Sequence, residues 1–237
     1  SSSAASDVYK RQISFKTPDI EFGIDAVDKV GDEVKKFGAK KVLFITGPNI
    51  EKTGMADRVI DILKSNSLEV KVDIQGRETP EPTTELAEKT GEIAKKFGAE
   101  VVIGMGGGSI MDVAKMASAL QTNKGRARDY LGKEKVKNKG VPTIMVPTTS
   151  GTGAEITKHA IFLDPETNVK KAVASSTILP DVAIVDPKLT LTCPASVTAS
   201  SGLDAFIHAA EPFVSKMSNP ITDALTLKAV SLITKWL

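Results

Sequence analysis

Two stretches of the chain repeat one plan, KKFGAKKVLFIT at 35–46 and KKFGAEVVIGM at 95–105. Each closes an amphipathic run, 24–37 in the first case and 83–97 in the second, with paired lysines and a glycine. A short apolar segment follows at once. Gly38 and Gly98 suit the left-handed position just past a helix, and the lysines sit favourably in the last turn. Helix, glycine, short apolar strand, twice over, is the rhythm of a parallel α/β sheet. VKVDIQ (70–75), TIMVPTT (143–149) and VAIVDP (182–187) supply further strands. ETPEPTT (78–84) reads as a loop with a helix start, and 126–142 as a polar connection punctuated by glycine.

After Pro194 the texture changes. The β-branched runs stop, and 195–237 reads as consecutive helices broken at Pro212 and Pro220. The sequence thus predicts an α/β domain over 13–190 and the start of an all-helical domain over 191–237. Ile221, Leu225, Leu232, Ile233 and Trp236 recur at helical spacing up to the last residue without a C-cap, so the helical domain is expected to be truncated. At the other end SSSAASDVYKRQ has neither the apolar core of a signal peptide nor amphipathic periodicity. Residues 1–12 are expected to be a non-native leader.

The 237 residues carry a net charge of +2, with 41% hydrophobic and 25% charged, which is ordinary for a globular chain and gives no basis for nucleic-acid binding. One cysteine, Cys193, excludes a disulfide framework and a cysteine-rich metal site, and leaves the cytoplasm as the default compartment. No apolar run approaches the roughly 18 residues of a membrane span.

VVIGMGGGSIMDVAK (101–115) sets three glycines where a buried strand should become a helix. Glycine weakens both elements, so something there requires bare backbone. A helix N-terminus offers unpaired amides and partial positive charge, and glycines let a phosphate approach them. The spacing is neither GxGxxG nor a P-loop. Phosphate binding and a tight, closely packed turn are both open on spacing alone. PTTSGTGAE (147–155), after another strand, adds the hydroxyls of Thr148, Thr149, Ser150 and Thr152. Ligands of open α/β sheets bind at the carboxyl ends of strands, where both loops are expected.

SGLDAFIHAAE places Asp204 and His208 four residues apart, on one face of a helix and close enough to grip one cation. A capping aspartate and an unrelated histidine are the competing reading. Two ligands do not complete a catalytic zinc site, which takes three. The other histidine, His159, lies in TKHAIFLD, which could be an edge strand with an exposed imidazole; it is a weak third-ligand candidate. The remaining ligands are expected beyond Leu237.

Taken in order, GGGSIMDVAK, PTTSGTGAEIT, LPDVAIVDP and SGLDAFIHAAEPFVS closely resemble the iron-containing (group III) alcohol dehydrogenases, over essentially all of 13–237. The resemblance implies a dinucleotide-binding α/β domain followed by a helical metal domain. It implies that Gly106, Gly107, Gly108 and Ser109 hold the pyrophosphate of NAD or NADP and that Asp112 helps order the site. It also implies that Thr148, Thr149 and Thr152 contact the pyrophosphate and nicotinamide side, with Lys171 and Leu189 as further cofactor contacts. Asp204 and His208 match the first two ligands of Fe2+ or Zn2+. The implied chemistry is reversible hydride transfer between a primary alcohol and its aldehyde. A polyol or glycerol dehydrogenase, a maleylacetate reductase and an inactive nucleotide-binding fragment are the alternatives.

One departure bears on the cofactor. Many members carry an aspartate after the first strand that bonds the adenosine ribose, and here that position is Gly47. The 2′-phosphate of NADP would then be neither repelled nor excluded. Small alcohols or aldehydes are the expected partners, with no nucleic acid and no membrane, and a truncated helical domain would expose apolar surface that favours a homo-oligomer.

Overall fold

The computed structural model describes residues 14–76 and 81–237; the leader expected at 1–12 and part of the 78–84 loop lie outside them. The chain divides into two compact units. One comprises 18–149 and 153–193, the other, among the described residues, 14–17, 150–152 and 194–237.

In the larger unit the elements run β1 (Asp19–Phe22), α1 (Val30–Lys36), β2 (Lys41–Thr46), α2 (Pro48–Lys52), α3 (Met55–Ser65), β3 (Glu69–Ile74) and α4 (Thr84–Phe97). They continue with β4 (Val101–Gly106), α5 (Gly108–Thr122), β5 (Gly132–Lys133), β6 (Thr143–Pro147), β7 (His159–Asp164), β8 (Val169–Ala174) and β9 (Val182–Val185). Six strands form one all-parallel sheet in the order β1-β9-β6-β4-β2-β3. A smaller sheet, β5-β8-β7, is built on the antiparallel β7–β8 hairpin.

Successive strand residues point to opposite faces, and here both faces are covered. Val42, Phe44, Val101, Ile103, Ile144 and Val146 join α1 and α3 side chains such as Val30, Val59 and Leu63 in one core. Leu43, Ile45, Val102 and Met145 pack with Met111, Ala114 and Ala117 of α5 in another. That is why KVLFIT and VVIGM read as unbroken apolar runs. A third cluster, including Ala87, Met116, Phe162 and Val173, lies between α4, α5 and the hairpin. Both repeated helix ends behave as expected: Gly38 and Gly98 take φ of 69° and 71°, and the Gly98 amide bonds the Ala94 carbonyl.

Three expectations need correction. The helix expected at 24–37 is a 3-10 turn over Ala26–Lys29 followed by the short α1, because Asp25 takes φ 61° and breaks the entry. The connection at 126–142 contains a 3-10 turn, Ala127–Tyr130, and the two-residue β5. In the smaller unit the helices are α6 (Ala195–Val214) and α7 (Pro220–Trp236), and α6 runs through Pro212. A proline so near the end forfeits one backbone bond, and the helix stops at Val214. Pro220 does open a helix, with Asn219 capping the amides of Ile221 and Thr222. Among the described residues, no helix is long and apolar enough to cross a membrane.

Candidate functional site

The chain passes from β2 outward to β3, then crosses back so that β4, β6 and β9 extend the sheet on the other side. The reversal falls between β2 and β4, and crevices at the carboxyl ends of such strands are where α/β sheets bind ligands. Gly47 ends β2 and caps α2, the glycine run ends β4, and the Thr148–Thr149 loop ends β6.

The glycines serve different ends. A Cβ on Gly104 would lie 2.7 Å from the Ala114 Cβ, so that glycine lets α5 press against β4. Gly106 has φ 158°, and its Cβ would crowd Ile110 at 2.9 Å. Gly107 is otherwise: φ is an ordinary −74°, and a Cβ would meet nothing nearer than Thr149 Oγ1 at 3.7 Å. Neither packing nor backbone conformation requires glycine there. Gly107 is the N-cap of the fifteen-residue α5 and supplies no capping side chain. The first helical bonds are made by the amides of Ile110 and Met111 to the Gly107 carbonyl, so the Gly108 and Ser109 amides precede the ladder. The Thr148 amide bonds the Gly106 carbonyl at 3.0 Å and ties the two loops together. The result is a group of partly buried backbone donors with the Thr149 hydroxyl beside them, chemistry that suits an anion without any cation.

The other expected residues are distributed as follows. Gly106 to Ser109, Thr148 and Thr149 come together, with Gly47 on the neighbouring strand end. Thr152 belongs to the smaller unit, where a Cβ on its neighbour Gly151 would meet the Ser201 carbonyl of α6 at 2.5 Å. Leu189, 4% exposed, packs in the core with Val27 and Ile184. Lys171 sits on β8 and donates to Asp164 Oδ2 at 2.7 Å. Asp164 also accepts from Thr167 Oγ1 at 3.0 Å, and these bonds hold its carboxyl below the ordinary value.

Asp112, one turn into α5, is buried against Lys115 (Oδ1–Nζ 3.1 Å) and accepts the Ile161 amide at 3.0 Å. Burial pushes the Asp112 carboxyl up and the Lys115 ammonium down, each opposed by the charge of the other. Sequence reasoning missed Lys115. The signal was present: in MDVAKMASAL apolar residues fall on every face of the helix, with only Asp112 and Ser118 as polar neighbours, which marks a buried helix in which a lysine must find partners. His159 begins an edge strand and is exposed, as expected; partial desolvation of its ring and the Lys115 charge lower its pKa.

On α6, Asp204 Oδ2 and His208 Nδ1 are 3.6 Å apart, with side chains 43% and 51% exposed. They are donors of the right chemistry for a divalent transition metal. Among the described residues, no group of three or more His, Cys, Asp or Glu is arranged to hold one. The pair therefore fits part of a metal site and does not make a whole one.

A model of the iron-containing alcohol dehydrogenases matches residues 17–187, and one of the C-terminal part of the same family matches 198–237. The chain belongs to the iron-containing alcohol dehydrogenase family. Among curated members, the long-chain-alcohol dehydrogenase 1 of Geobacillus thermodenitrificans is 42% identical over 218 residues, covering 90% of this chain and 54% of that protein. Among solved family structures, the alcohol dehydrogenase from Oenococcus oeni superposes with a TM-score of 0.89 at 34% identity, over 94% of this chain and 59% of that one. Sulfoacetaldehyde reductase from Bifidobacterium kashiwanohense, solved in complex with NAD+, gives 0.86 at 32% identity, over 95% and 60%. The chain thus spans little more than half the length of these relatives.

Proposed function

We propose that the Gly106–Ser109 turn and the Thr148–Thr149 loop bind the pyrophosphate of NAD or NADP, for oxidoreduction between an alcohol and its aldehyde. The observation that carries this is Gly107, an N-cap glycine that neither fit nor conformation demands, beneath amides with no helical partner. The printed names of the relatives, a long-chain-alcohol dehydrogenase, a sulfoacetaldehyde reductase and a 1,3-propanediol dehydrogenase, share alcohol or aldehyde chemistry and differ in substrate. That shared chemistry supports an alcohol or aldehyde as the substrate class. Thr152, Lys171 and Leu189 are proposed as further cofactor contacts, and Asp112 as the residue that orders the cradle.

Asp204 and His208 are proposed as two ligands of Fe2+ or Zn2+, the other donors coming from outside the described residues. The metal, when bound, would supply Lewis acidity toward the alcohol or carbonyl oxygen. The chain's own part is to hold the diphosphate on backbone amides at the helix start and so orient the dinucleotide.

At Gly47 the backbone is extended (φ −105°, ψ 159°), and a Cβ would make only ordinary contacts, 3.7 Å to Ile110 and 3.8 Å to the Gln75 carbonyl. A side chain could start there without a clash and no carboxylate is present, so NADP is proposed to be accepted alongside NAD. Gly47→Asp should lower the affinity for NADP relative to NAD at least tenfold.

The decisive variant is Gly107→Asp. Aspartate is a preferred N-cap, so thermal stability should hold or rise. Its carboxylate would occupy the cradle and repel the diphosphate, weakening dinucleotide binding about a hundredfold, roughly 2.7 kcal/mol. Titration of NADH and NADPH followed by nicotinamide fluorescence reads this. Unchanged affinity in a folded Gly107→Asp chain would overturn the assignment.

A further inference from the structure

Strand β7 is an edge of its sheet: β8 pairs with one side of it, and among the described residues the other side meets only the 82–83 segment, where the Leu163 amide bonds the Pro82 carbonyl at 2.8 Å. Nearer the start of β7, two side chains of α5 take the place of a neighbouring strand. Lys115 Nζ donates to the His159 carbonyl at 2.6 Å, while the Ile161 amide donates to Asp112 Oδ2 at 3.0 Å. The carbonyl of one residue and the amide two positions on share one edge of a strand, so the pair satisfies the two groups that a neighbouring strand would. Lys115 and Asp112 are also bonded to each other at 3.1 Å, with side chains 0% and 11% exposed. A buried ion pair is rigid only when its remaining bonds are made, and here both partners use theirs on the same strand.

The closed network lies on the turn of α5 next to the cradle, with Asp112 three residues beyond Ser109. The helix start carries no capping side chain to fix it from within. The placement of its first amides therefore depends, beyond the packing of α5 on β4, on what grips the following turn.

We propose that Lys115 is a positioning residue for the dinucleotide site: by holding Asp112 and the His159 carbonyl together, it locks the first turns of α5 against β7 and keeps the Gly108 and Ser109 amides aimed at the diphosphate. This rests on the functional reading above. The ammonium touches neither cofactor nor substrate and acts through α5. Loss of its charge strands Asp112 without a counter-ion and frees the helix start to shift, and dinucleotide affinity falls before the fold does.

The test compares the unaltered chain with Lys115→Gln, Lys115→Met and Lys115→Arg. Each is measured for thermal unfolding, for NADH and NADPH affinity, and for hydrogen exchange of the Ile161 amide. Lys115→Gln keeps a donor for the His159 carbonyl and carries no charge for Asp112. It should remain folded, bind dinucleotide at least tenfold more weakly, and exchange the Ile161 amide faster. Lys115→Met should behave likewise, and Lys115→Arg should restore affinity to within about threefold. Folded neutral variants with undiminished affinity would overturn the proposal, as would an arginine variant no better than glutamine. If neither neutral variant folds, the role is purely structural and the proposal is equally overturned. Failure of the unaltered chain to bind either dinucleotide sinks the functional reading itself, and is distinguishable from all of these.

Discussion

The two units of this chain use apolar residues in opposite ways. In the sheet unit, every residue of β4 is buried, and Phe44, Ile103 and Met105 are fully enclosed. In the helical unit, α6 spans twenty residues without one buried, and α7 buries only Thr226. Leu203, Ile207, Phe213, Leu225 and Trp236 are all more than 45% exposed. The first unit encloses its own core. The second carries many apolar residues on two helices that meet each other closely, where a Cβ on Gly202 would overlap Leu237, and most of those residues are exposed. Burial of apolar area, not its presence in the sequence, supplies stability.

That contrast can be broken by mutation. The largest effect is expected at Phe44→Ala, which should destabilise the sheet unit by about 4 kcal/mol in urea unfolding, because it empties a closed core. Gly104→Val should cost about 2–3 kcal/mol by forcing α5 off β4. A loss below 1 kcal/mol at both sites would mean that the sheet unit is no better packed than the helices. Asp164 sharpens the comparison through pH. Bonds from Lys171 and Thr167 depress its folded-state pKa. Its contribution is therefore present above the ordinary carboxyl value near pH 4 and is lost as the pH falls through the lower, folded one. Asp164→Asn should flatten the fall of Tm between pH 4 and pH 2.5, and an unchanged slope would refute this. At the small end, Ile207→Ala should change stability by no more than about 0.5 kcal/mol, since the side chain is already half exposed.

The sheet was legible because both of its faces are covered. Runs such as KVLFIT and VVIGM are apolar at every position, and Gly38 and Gly98 mark the helix ends before them. The strands that escaped notice were those with one open side. DIEF of β1 and VKKAVA of β8 carry charges at positions facing water or an ion pair, so period and composition both pointed elsewhere. The β7–β8 turn depends on Asn168 at φ 51° and on the Asp164 side chain, a local device with no hydrophobic signature. At the candidate site, the glycine and threonine loops could be found because their chemistry is carried by backbone and hydroxyls at predictable strand ends. Lys115 could not be found by residue type, since an isolated lysine reads as surface until the apolar faces around it are counted. Asp204 and His208 were legible as an i,i+4 pair, and a partial donor set is all that spacing can express.

The position of β1 has a consequence for synthesis. The first described strand pairs only with the last one of its sheet, Asp19 beside Val182, and Lys188 reaches back to Asp25 across 163 positions. A ribosome delivers β9 about 160 residues after β1. Until β9 has emerged, β1 has no strand to pair with, and its backbone amides and carbonyls stay bonded to water. That seam of the sheet is a long-range contact, closed only after the intervening strands and helices have been made, and it is the pairing expected to form late in folding.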